Sequence, residues 1–87
     1  MKAPDHLTEE AKEIWSFIVR TRKRDGLAPL NITTLESVAV LTSRLRDASA
    51  RVEAEGLLIA DAKGNPIAHP ALEIERVTSE QLRKLMN

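Results

Sequence analysis

Cysteine is absent from the 87-residue chain, which excludes disulfide staples, thiolate nucleophiles and cysteine-based zinc sites. Tyrosine is absent as well, and the aromatics come down to Trp15 and Phe17. Apolar runs are short. Leu57-Leu58-Ile59-Ala60 falls far below the ~20 residues needed to cross a bilayer. No apolar stretch follows the start of the chain, so no signal peptide is expected. Neither charge is in excess: Lys plus Arg and Asp plus Glu number 13 each, so no global field draws the chain to nucleic acid or membrane. What remains is a small, charged, alanine-containing chain, long enough for one domain spanning 1–87 and too short for two independent cores. A chain of this size buries only about 60–65% of the surface its unfolded form exposes, so its stability is marginal without assembly or a ligand.

The pattern predicts a mainly α protein: a helical hairpin with a long central helix, a small β-hairpin and a C-terminal helix. The first helix, about 8–24, starts at Thr8, whose hydroxyl can accept from the first-turn amides. Ala11, Ile14, Trp15 and Ile18 form its apolar stripe, widened by Phe17 and Val19. Asp25-Gly26 and then Pro29 stop it. A capping box, Thr33-Thr34-Leu35-Glu36, opens the second helix, about 34–55, which Gly56 closes. At the standard rise that helix spans about 33 Å. Beyond Leu45 its core face carries only small residues and Val52, so the far half is expected to pack on another helix, of this chain or of another.

Two short apolar runs flank a turn centred on Gly64-Asn65, giving a hairpin over about 57–69. Pro66 places its strand at an edge or at a strand start. Such a hairpin is marginal alone and must dock or pair. The last helix, about 70–86, begins at Pro70 with His69 as its cap, and its stripe is Ala71, Ile74, Thr78, Leu82 and Leu85. The expected oligomer interface comprises Leu41, Leu45, Ala48, Val52, Leu58, Ile59 and Ile67.

Three segments carry a resemblance. Ala3-Pro4-Asp5-His6-Leu7-Thr8-Glu9-Glu10-Ala11 leads to Trp15. Glu53-Ala54-Glu55-Gly56-Leu57 precedes Gly64-Asn65-Pro66, and His69-Pro70-Ala71-Leu72-Glu73-Ile74 follows. In this order and spacing they resemble the phage terminase small subunits, in the branch encoded beside an HNH endonuclease. The resemblance covers nearly the whole chain. It implies a non-catalytic subunit of genome packaging that forms ring-like homo-oligomers and holds or recognises double-stranded viral DNA. The implied partners are the large terminase subunit and the HNH endonuclease, in the host cytoplasm. Relatives generally carry a basic, proline-rich N-terminal tail and a C-terminal extension beyond the segments found here, and an aromatic residue in the middle helix. A core without them is expected to oligomerise yet hold DNA weakly.

The nucleic-acid candidates are Arg20, Arg22, Lys23 and Arg24, four cations in five residues. Guanidinium groups suit phosphate contacts. Compensation of the helix dipole accounts for the same residues without any ligand. Arg44, Arg46 and Arg51 form a second basic set, explained by i,i+4 pairing of Arg51 with Asp47 and Glu55. The connection from Asp25 to Ile32 is about twice the 3–4-residue turn of a helix-turn-helix motif. Catalysis finds no convergent polar site: His69 reads as a cap, and Glu73 and Glu75 lie on different helix faces. A helical protein–protein adaptor without DNA binding is the rival reading, and an accessory to a hydrolase would need a polar site that is not visible.

No cofactor and no metal are expected, because no Cys, His or carboxylate cluster has ligand spacing and no glycine-rich loop cradles phosphate. Melting curves recorded with EDTA, with zinc and with ATP plus magnesium should therefore coincide. Stabilisation by several degrees in any one condition would reveal a site.

Overall fold

A computed structural model describes residues 2–86; Met1 and Asn87, the ends of the expected 1–87 domain, lie outside the described residues. Along the chain run α1 (Glu9–Arg24), α2 (Ile32–Glu55), β1 (Leu58–Ala60), β2 (Pro66–Ala68) and α3 (Ala71–Met86). The expected class, mainly helical with one small antiparallel hairpin, is the observed one. The chain divides at Ser43/Arg44 into two compact units.

In the first unit the core gathers Leu7, Ala11, Ile14 and Trp15 with Leu35 and Ala39 of α2. Trp15 and Leu35 are its two large, fully buried side chains. Thr8 caps α1 as expected, its Oγ1 accepting from the Ala11 amide at 3.2 Å. Phe17 departs from expectation: it is 60% exposed. At 3.6 residues per turn it lies roughly 60° beyond Ile14, off the arc that holds Ala11, Trp15 and Ile18. The α1 C-terminus closes in a Schellman motif. The Leu27 amide donates to Arg22 O at 2.8 Å and the Gly26 amide to Lys23 O at 3.2 Å. Gly26 takes the φ of 70° that this closure requires.

The start of α2 corrects the capping box. Asn31, not Thr33, is the cap: its Oδ1 accepts from the Thr33 amide at 2.9 Å and the Thr34 amide at 3.4 Å. Asparagine is the stronger N-cap, and it sets Leu30 and Leu35 at the two positions that pack as a hydrophobic staple. Both leucines belong to the core cluster. Glu36, freed from capping, meets His6 Nε2 at 2.6 Å instead.

In the second unit Ala48, Ala71 and Thr78 are buried, together with His69. Ser49 Oγ donates to Glu75 Oε2 at 2.8 Å and ties α2 to α3. Ile74, expected in the stripe of α3, is 50% exposed, while Glu75 is half-buried on its hydrogen bond. The buried line of α3 thus runs through Ala71, Glu75, Thr78 and Leu82, one residue around from the purely apolar reading. On the outer side Arg76 bridges Glu73 and Glu80, and its hydrogen bond and positive charge hold the Glu73 carboxyl below its ordinary range.

In the hairpin Leu58 pairs with Ala68, Ile59 with Ile67 and Ala60 with Pro66. Its turn is organised by Asp61, whose carboxylate accepts from the Lys63 and Asn65 amides, both at 2.8 Å. The turn is therefore centred on Ala62-Lys63, not Gly64-Asn65, and Gly64 follows with φ 85°.

Trp15 Nε1 is buried and has no hydrogen-bond partner among the described residues. Trp15→Ala should cost ~3–5 kcal/mol in denaturant melts. Trp15→Phe should cost only about 1–2 kcal/mol, because it removes an unpartnered buried N–H together with the lost volume. Asn31→Ala should cost ~1 kcal/mol, and Thr33→Ala much less.

Candidate nucleic-acid interface

The basic end of α1 is built by the helix period. Arg20, Lys23 and Arg24 are exposed and fall within an arc of about 100°, opposite the stripe that buries Trp15. Phe17 lies about 20° beyond Arg24, so an exposed aromatic ring shares the face of Arg20 and Arg24. Sequence reading placed Phe17 in the core; the signal that could have moved it was its three-residue spacing to Arg20. An aromatic side chain among cations is what a nucleic-acid surface uses for stacking or wedging.

Arg22 is different. It lies on the core side of α1, half-buried, and its Nε donates to Ala28 O at 2.7 Å, clasping the 25–31 connection to the helix. Arg24 Nε lies 3.3 Å from Asp25 Oδ1, an exposed pair of small energetic weight. The four expected phosphate-binding residues are thus not equivalent. Three share an outward face, and one holds a loop.

The second basic set behaves partly as expected. Arg51 Nε meets Asp47 Oδ2 at 3.2 Å, but Glu55 turns to His69 instead of to Arg51. His69 is 8% exposed and does two things. Its Nδ1 accepts from the Ala71 amide at 3.0 Å, and its Nε2 lies 3.2 Å from Glu55 Oε2. An amide can only donate, so the ring proton belongs on Nε2, where it donates to Glu55. The cap at the start of α3 and the end of α2 are joined through one neutral imidazole.

The expected interface residues divide by exposure. Leu58 and Ile67 are exposed, at 63% and 40%. Leu41, Leu45, Val52 and Ile59 are half-buried, and Ala48 is buried within the chain. Among the described residues no group of three or more His, Cys, Asp or Glu side chains could hold a metal ion, and no helix is long and apolar enough to cross a membrane.

Residues 11–87 match the family model described as phage terminase, small subunit. The chain belongs to that family. No curated protein and no solved structure matches it. Membership gives the chain a place in phage DNA packaging. The terminase match covers the outward basic face of α1, its Schellman closure, the Asn31 cap and the His69-Pro70 start of α3 alike.

His69→Ala should remove the cap and the Glu55 hydrogen bond and lower stability by about 1–2 kcal/mol in chemical denaturation. His69→Asn restores a capping acceptor and should recover roughly half of that loss.

Proposed function

We propose that this terminase small subunit is a single non-catalytic core domain that self-associates and holds double-stranded viral DNA. In this reading it presents that DNA to the large terminase subunit and to an HNH endonuclease in the host cytoplasm. The observation that carries the reading is the outward face of α1, where Arg20, Lys23 and Arg24 are exposed with Phe17 at its edge beside Arg24, in a chain of this family. These side chains read no base edges in a groove by helix insertion. Their chemistry is contact with the sugar-phosphate backbone, aided by one apolar wedge.

One copy offers few phosphate contacts, so useful affinity comes from repetition of the face in an assembly, an avidity effect. The net charge of the whole chain is zero, so any attraction to DNA rests on the local grouping of cations at the end of α1. The adaptor reading, in which the face is only a solvated helix end, makes the opposite forecast for DNA.

The test is duplex binding by fluorescence anisotropy across a salt series. The variant Arg20→Gln with Arg24→Gln leaves Arg22 on Ala28. It should bind about tenfold more weakly at low salt and flatten the log–log salt slope by roughly 2 per engaged protomer. Phe17→Ala should weaken binding with the slope unchanged. A parent that fails to bind duplex DNA at low salt would establish the adaptor reading.

A further inference from the structure

Two features of the structure have no use within a single copy. The first is an apolar hollow of about 270 Å³ beside the end of α1, lined by Ile18, Val19, Leu27, Leu30 and Leu35. Arg22 and Lys23 border it, and Leu27 is 52% exposed at its edge. Its volume exceeds the ~150 Å³ of an apolar cavity that accepts benzene, so it has room for a branched aliphatic side chain. Arg22 spends Nε on Ala28 O and keeps its two terminal nitrogens, and Lys23 has no ion-pair partner among the described residues.

The second feature is the segment Glu53-Ala54-Glu55-Gly56-Leu57-Leu58. Leu57 and Leu58 are adjacent and stand 64% and 63% exposed. The last turn of α2 holds no basic residue, so Glu53 and Glu55 face the negative end of the helix dipole. Glu55 is answered by His69. Glu53 is exposed with no partner among the described residues. A lone carboxylate in an unfavourable place, beside two exposed leucines, is complementary in charge and character to the hollow and its cations.

We infer that Leu57 and Leu58 of one copy seat in the hollow of a second copy, with Glu53 facing Lys23 and the free edge of Arg22. This rests on the self-association in the proposed function and names its contact. Both halves are present once per chain, so stoichiometry is matched without any foreign protein. The two halves are different surfaces, which makes the contact heterologous: each copy gives a knob to one neighbour and a hollow to another. Such a contact closes a ring when its rotation allows and otherwise runs on as a filament. Burial of two leucines supplies the attraction, and the Glu53 pairing selects the partner.

The test uses the full chain without DNA, with mass read by light scattering after size exclusion. A knob variant, Leu57→Asp with Leu58→Asp, and a hollow variant, Lys23→Glu with Leu27→Asp, change exposed side chains only. Each alone should run as a monomer of about the 9.7 kDa chain mass. Mixed in equal amounts they should form a dimer and nothing larger, because one intact knob meets one intact hollow. Glu53→Lys and Lys23→Glu keep the test open should the leucine variant misfold. Each should weaken assembly about tenfold, and the double variant should restore it.

Variants that assemble like the parent overturn this contact while leaving self-association standing. Monomeric variants that fail to pair when mixed also overturn it. A parent that stays monomeric at high micromolar concentration overturns both this contact and the self-association beneath it; the hollow would then belong to an acidic segment of another protein.

Discussion

Burial of Trp15 is the constraint on which the first unit depends. The chain owns a single tryptophan and no tyrosine, and among the described residues Trp15 and Leu35 are the largest fully buried side chains. Everything nearby serves to place them. Thr8 starts α1 where Ala11, Ile14 and Trp15 face inward, and Asn31 starts α2 where Leu35 falls on the staple position. The Arg22 clasp and the Gly26 closure then hold the connection between the two starts. So small a core leaves little margin, and an indole N–H without a partner is a cost it carries for the volume of the ring.

The second unit relies more on polar chemistry. Among the described residues, those buried in it are two alanines, a threonine and a histidine, which bring little apolar area. Hydrogen bonds carry the specificity: Ser49 to Glu75, Glu55 to His69, and His69 to the Ala71 amide. The His69 amide also donates to Leu57 O at 2.8 Å, so one residue ends the hairpin and begins α3. A histidine is suited to this place because its two nitrogens can accept and donate at once.

Much of this was legible in the sequence because it follows from short-range rules. The three helices, the hairpin, the Thr8 cap, the Gly26 stop and the His69 cap all depend on neighbours within a few residues. The errors have two causes. Thr33 to Glu36 satisfies the capping-box pattern, but Asn31, two residues earlier, is the stronger cap, and Glu36 meets His6 instead. Ile74 outranks Glu75 in apolarity, but Ser49 gives the half-buried carboxylate a hydrogen-bond donor. Arg51 has i,i+4 neighbours in both Asp47 and Glu55, but Glu55 pairs with His69. In the last two a long-range polar contact overrode a local preference, and such contacts are invisible until the fold brings the residues together. Phe17 is another kind of miss. Its apolarity suggested the core, whereas its helical angle placed it among the cations.

The charges show how a neutral chain can still carry directed fields. Lysines and arginines collect at the end of α1, where they complement the dipole, so their placement alone asks for no ligand. The end of α2 is the reverse, since its acidic residues oppose the dipole and gain nothing from it. The first arrangement is stable in isolation and adaptable to phosphate. In the second, His69 gives Glu55 a hydrogen-bond donor, and Glu53 has no such partner among the described residues. Of the exposed leucines and the carboxylate beside them, it is the leucines that water suits poorly. For so small a core, any contact made between copies would add to the free energy that holds each copy folded. Any DNA affinity built on repeated α1 faces inherits the same dependence on protomer concentration.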